Sequence, residues 1–202
     1  MSMRRSALLL AAACLFASCA LFTPATPSLQ TFRLDYPAPA PLTETAPAAV
    51  LRLAPFGIAA AYDQPGFVYR DGPYQLGVDY YHRWIAAPQD LVTDLVARDL
   101  AAARVVAAIL QGPSGVPARY ELSGQIEALE ETPSGGCSAA LRLRALLVRL
   151  PDTGSRAVVF EEVFSAEAPC AAGDPASFAE AMSLATQRVS DALLARIAAA
   201  LA

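Results

Sequence analysis

Few residues in this chain of 202 are of a type and spacing that does chemistry, and the most telling is Cys19. Phe16-Ala17-Ser18-Cys19 places one large apolar side chain and two small ones ahead of a cysteine. A thiolate is the side chain that can be alkylated, and small neighbours let a peptidase approach the backbone. The quartet has the form of a bacterial lipobox, whose cysteine receives a diacylglyceryl thioether and becomes the new N-terminus. Cys14, behind Ala11-Ala12-Ala13, is a weaker alternative because only seven apolar residues precede it. An ordinary signal peptide cut near Ala20, with Cys19 free, is the other open reading.

What precedes Cys19 supports the first. Arg4 and Arg5 are followed by an apolar run from Ala7 to Phe16, the layout of a secretory signal. The run is too short to span a bilayer core of roughly 30 Å, and Pro24 and Pro27 stop any helical extension. The sequence therefore predicts a lipoprotein signal peptide over 1–18, a lipid-anchored tether over 19–29 and a folded domain over 30–202. Ala20, in place of Asp, matches the signal for sorting to the outer membrane of Gram-negative bacteria, with the domain facing the periplasm. Two or more acyl chains anchor a protein stably. Ten tether residues at about 3.3 Å each reach up to roughly 33 Å.

The other candidate chemistry is thin. Cys137 and Cys170 remain in the folded part of an exported chain, where disulfides form. Residues 138–149 and 157–168 read as strands, and Pro151-Asp152-Thr153-Gly154-Ser155 between them is turn chemistry. Centring that hairpin between Thr153 and Gly154 pairs residues whose numbers sum to 307. Cys137 then faces Cys170, Leu143 faces Phe164 and Leu147 faces Phe160. A disulfide is the expectation; two separate thiols is the alternative. His82 is the only histidine, so a multi-histidine metal site is out of reach and a catalytic role is improbable. Glu130-Glu131 and Glu161-Glu162 are adjacent in strands, so the members of each pair point to opposite faces instead of converging as a dyad. No nucleophile elbow, phosphate loop, dinucleotide-binding glycine pattern or Cys-x-x-Cys is present. No metal or cofactor is expected, and the chain reads as a non-enzyme.

Fifteen arginines, no lysine and 19 acids give a net charge of −4, which argues against nucleic acid as a partner. With 55% hydrophobic residues the chain is not generally disordered.

The elements that must position these residues follow from periodicity. Gln30–Tyr36 and Val50–Phe56 read as strands joined by a proline-rich connector. Short strand pieces are expected at Gly66–Arg70, Tyr74–Val78 and Tyr80–Trp84. Pro88 opens a helix to about Ala103 with Leu91, Val92, Leu95, Val96, Leu100 and Ala103 along one stripe, and Asp94 and Arg98 four apart. The clearest strand starts at Tyr120: Tyr120, Leu122, Gly124, Ile126 and Ala128 face one way, and Glu121, Ser123, Gln125 and Glu127 the other. Arg142 and Arg144 should lie across from Glu127 and Gln125. Asp174 caps a last helix that begins with Pro175 and turns Phe178, Met182, Ala185, Val189, Ala192, Leu193 and Ile197 inward. The fold class is α+β: a largely antiparallel sheet with two amphipathic helices packed on one face.

Between Tyr62 and Trp84 lie Tyr62, Phe67, Tyr69, Tyr74, Tyr80, Tyr81 and Trp84, nearly half the aromatic residues, with Arg70 and Arg83 among them. That composition suits a dense local core, and equally a protein–protein contact surface, for which Tyr69, Arg70, Tyr80, Tyr81, Arg83 and Trp84 are the candidates.

Ala54-Pro55-Phe56-Gly57, then Phe67-Val68-Tyr69-Arg70, then Tyr80-Tyr81-His82-Arg83-Trp84, with Pro88 and Leu91 before the helix, resembles the ABC-type transport auxiliary lipoproteins, a family that includes the paraquat-inducible outer-membrane lipoprotein. The order of elements agrees over nearly all the mature chain, and the motif matches concentrate in residues 50–100. The resemblance implies a non-enzymatic lipoprotein that works with an MCE-type (mammalian cell entry) substrate-binding protein, its ABC permease and its ATPase, moving lipids or other hydrophobic molecules between membranes. A homo-oligomer fits such a role. The alternative function is a periplasmic lipid-binding carrier with its own apolar pocket.

Overall fold

The computed structural model describes residues 28–42, 48–133, 136–151 and 154–201. Cys14, Cys19 and the segment that surrounds them lie outside the described residues. Nine strands and two helices follow in the order β1 (Gln30–Phe32), β2 (Val50–Leu53), β3 (Gly57–Ile58), β4 (Gly66–Arg70), β5 (Leu76–Trp84), α1 (Pro88–Ala103), β6 (Ala108–Gln111), β7 (Tyr120–Thr132), β8 (Ser138–Arg149), β9 (Ala157–Pro169) and α2 (Pro175–Leu201).

All the strands belong to one mixed sheet built around β7. One edge of β7 carries β8, and β9 lies beyond it, so β7–β8–β9 is a long antiparallel meander. The other edge is paved in succession by β2, β3 and β4, each parallel to β7. β6 continues outward from β2, β5 from β4 and β1 from β5. The antiparallel ladders dominate because they are long; the parallel contacts involve two- to five-residue strands that alternation alone does not orient.

The hairpin register holds: Leu143 pairs with Phe164 and Leu147 with Phe160, and a one-residue shift comes only beyond Leu147. Cys137 and Cys170 are joined in a disulfide with their Cα atoms 5.1 Å apart, and the Cys170 amide donates to the Cys137 carbonyl at 3.0 Å. The bond closes a separation of 33 residues, which in the chain-entropy description is worth about 3.7 kcal/mol. Replacing both cysteines with serine should lower the unfolding free energy by about that much, read as a lower urea midpoint with an m-value somewhat raised by the more expanded unfolded chain.

Several boundaries differ from expectation for identifiable reasons. The first strand stops at Phe32, yet Leu34 and Tyr36 are buried, so the alternation continues without a partner strand. Val50–Phe56 is cut by Pro55, which cannot donate to a ladder. Phe56 drops into the core against Gly124, where a Cβ would overlap its ring, and its amide is taken by the Thr93 hydroxyl at 3.0 Å. β7 runs four residues past Ala128 with a bulge at Glu127. The extra residue flips the phase, so Leu129 joins the core and Ala128 turns to the open face opposite Arg142. Arg142 and Arg144 both bond Glu127, at 2.6 and 2.7 Å.

Both helices pack on the other face, over Leu122, Ile126, Leu129, Leu141, Leu143 and Leu147. α1 contributes Val92, Val96 and Leu100; Leu91 and Leu95 are only partly buried. α2 contributes Phe178, Met182, Ala185, Val189, Leu193 and Ile197, while Ala192 is exposed and Leu194 takes its place. Asp174 caps α2, accepting from the Ala176 and Ser177 amides at 2.9 and 3.2 Å. Arg98 does not use Asp94: it bonds the neighbouring Asp99 at 2.7 Å and the Tyr36 carbonyl at 2.9 Å. Asp99 is fully buried and also accepts the hydroxyls of Tyr36 and Ser190, at 2.7 and 2.6 Å. Burial first, and then the Asp99 carboxylate, hold the Tyr36 phenol well above its ordinary pKa, so it stays a donor.

Candidate functional site: the β4–β5 hairpin

The pieces expected at Tyr74–Val78 and Tyr80–Trp84 are one strand, β5, folded back on β4. Val68 pairs with Val78, Tyr69 with Gly77 and Arg70 with Leu76. The Tyr69 ring lies over Gly77, in the space that a Cβ there would take. Asp79 then bends the strand. Its Oδ1 accepts the amides of Tyr81 and His82 at 2.8 and 3.1 Å, and its Oδ2 lies 2.6 Å from His82 Nδ1. Burial pushes the Asp79 carboxyl up, but these bonds outweigh it and hold the group below the usual carboxylate range.

The two faces of the hairpin differ. Phe67 and Trp84 point into the core, with ring centroids 4.4 Å apart, and Phe67 lies 4.9 Å from Phe178. Trp84 is 2% exposed, which removes it from the candidate contact residues: it is a core residue. On the other side Leu76, Val78 and Tyr80 stand at alternate positions of β5 without cover, and Tyr74 at the turn is fully exposed. Tyr80 is 72% exposed and meets the half-open Tyr81 edge-on at 5.3 Å. Tyr69 is partly exposed on the inner side, above a cavity of about 100 Å³ shared with Asp79, His82, Glu131 and Asp174. No serine, threonine, cysteine or lysine lines that cavity. The His82–Asp79 pair holds the bend in β5.

Arg70 is committed inside the protein. Its Nε and one terminal nitrogen bond Glu130 Oε1 at 3.0 and 2.5 Å, and the Tyr62 hydroxyl donates to Glu130 Oε2 at 2.9 Å. Glu130 is 4% exposed, so this trio welds the hairpin and the loop before it to β7. Glu131, its neighbour, points the other way, and burial and then Asp79 raise its pKa. Burial and then Glu130 push the Tyr62 phenol up to about 12. A raised phenol contributes stability in full below its ordinary pKa near 10, and that contribution fades as pH climbs through about 12. In a spectrophotometric titration Tyr36 and Tyr62 should both ionise late, and Tyr62→Phe should remove the step near 12, leave the Tyr36 step in place and lower stability at neutral pH.

Of the six predicted contact residues, the structure leaves Tyr69, Tyr80 and Tyr81 exposed and Arg83 half-buried, and assigns Arg70 and Trp84 to internal work. Sequence reading passed over Leu76 and Val78, whose alternation with Tyr80 becomes visible once the strand is read through Asp79. Among the described residues no cluster of three metal-ligating side chains occurs, and no helix is long and apolar enough to cross a membrane.

A family model described as an ABC-type transport auxiliary lipoprotein component matches residues 32–194. The chain belongs to that family. The family supplies an auxiliary part of a transport system and is a family of lipoproteins. No curated protein matches this family member. Among solved structures, a Xanthomonas campestris protein is similar to 85% of this chain and 95% of its own, at 21% identity and a TM-score of 0.75. A hypothetical protein from Chlamydia trachomatis is similar over 77% of this chain and 98% of its own, at 13% identity and a TM-score of 0.56. At such identities the likeness concerns the fold.

Proposed function

We propose that this protein is the outer-membrane-anchored docking component of an MCE-type ABC transport system for lipids or other hydrophobic molecules. Cys19 carries the acyl anchor, residues 20–29 form the tether, and the domain meets its partner in the periplasm without making or breaking a bond. The observation that carries this reading is the family match over residues 32–194; the lipobox and the uncovered outer face of β5 agree with it. Repetition of the domain around a conduit belongs to the same reading, because a single-domain anchor lengthens a passage only by repeating.

The contact surface in this reading is Leu76, Val78 and Tyr80 with Tyr74 and Tyr81. Exposed aromatic and aliphatic side chains of this kind dominate binding energy when a partner desolvates them. The double substitution Val78→Ser, Tyr80→Ser should leave thermal unfolding within a few degrees of the parent. It should also cut recovery of the MCE protein with the detergent-solubilised lipoprotein at least tenfold. Undiminished recovery moves the contact elsewhere on the domain.

A further inference from the structure

We infer that the groove between β1, the start of α1 and the loop before β4 binds the acyl chain and anionic head of a single lipid molecule. It encloses about 470 Å³, within the range of small-molecule sites. Its walls are mostly apolar: Leu29, Pro65, Ile85, Ala87 and Pro88, of which Leu29 and Ile85 are more than half exposed. Two lining residues each carry a buried side-chain nitrogen without a partner among the described residues. The Trp84 indole nitrogen is buried on a residue 2% exposed, and no acceptor among the described residues reaches it. The Arg83 Nε is buried and equally unmatched, and among the described residues Arg83 makes no ion pair. Most arginines of this acidic chain are spent on carboxylates, as Arg70, Arg98, Arg142, Arg144 and Arg196 are.

Buried donors without acceptors are costly, and a guanidinium beside an apolar wall most rewards a ligand that offers an anionic oxygen at the end of a hydrocarbon. A sugar or nucleotide would leave Leu29 and Ile85 unused; a plain hydrocarbon would leave Arg83 unpaired. The one carboxylate at the rim, Asp63, is turned to the Gln89 amide at 3.2 Å. The groove does not involve the Tyr80 face, so it adds to the docking role and does not depend on it.

Trp84 is the chain's only tryptophan, so it reports from within the groove. The full mature chain carrying Cys19→Ser, free of its own acyl groups, is titrated with oleate and with oleyl alcohol, which share a tail and differ in charge. Oleate should give a saturable change in Trp84 fluorescence, at least tenfold tighter than the alcohol. Arg83→Gln should erase that tenfold preference, while Ile85→Ser, on the exposed wall, should weaken both ligands. No saturable change, equal affinity for the two ligands, or an Arg83→Gln variant that keeps the preference each overturns the inference. So does binding only to phosphatidylglycerol vesicles with none to monomeric oleate, which would mean a bilayer surface and no single-lipid site. If Arg83→Gln does not fold, Arg83→Lys, which keeps the charge and should keep the oleate preference, decides together with the oleate/oleyl alcohol ratio of the parent, and loss of that preference in a folded lysine variant overturns the inference.

Discussion

Asp99→Ala should be among the most damaging single substitutions in the domain, lowering the unfolding free energy by about 3 kcal/mol, the lower end of the scale for breaking a buried charged pair, because Asp99 is buried while Arg98 is about a third exposed. The reason is convergence. Asp99 sits on α1 with no exposed surface and ties together Arg98 beside it, Tyr36 of the N-terminal extended stretch and Ser190 of α2. Removing it strands two buried hydroxyls and leaves the guanidinium, which also caps the Tyr36 carbonyl, without its counter-charge. Asp99→Asn keeps the shape and part of the bonding and should cost clearly less. Chemical denaturation checks both; a loss below about 1 kcal/mol for the alanine would mean that water takes over those bonds.

Cys19→Ser should have an all-or-none effect on location. Two or more acyl chains hold a protein on a bilayer essentially without release, whereas the domain's described helices include none that could cross one. Palmitate labelling should mark the parent and not the serine variant, and the variant should move from the membrane fraction to the soluble periplasmic fraction. Equal labelling of both would refute the lipobox reading.

Where one face is dry and one wet, the chain declares its structure locally. The β8–β9 register, the Cys137–Cys170 pairing and the Asp174–Pro175 start of α2 were legible because alternation, turn residues and capping each act within a few positions. What escaped depends on distant partners. The bulge at Glu127 and the parallel docking of β2, β3 and β4 on β7 come from fitting short strands to a long one. Sequence reading passed over Asp99, because nothing near it in sequence says that Tyr36 and Ser190 will meet it. The aromatic segment was divided only by the fold: Tyr62, Phe67 and Trp84 went inside, Tyr74 and Tyr80 outside. Composition supports a core and a surface equally, and only the direction of each side chain from β4 and β5 separates them.

The docking role is tested most directly in living cells by placing a photo-crosslinking residue at position 80, on the uncovered face of β5, and another at Leu184, an exposed position on α2. The account predicts an adduct from position 80, absent from position 184, whose second component is the MCE protein of the transport system. An adduct to that protein from Leu184 alone, or none from either position with the lipoprotein at its native level, would contradict it.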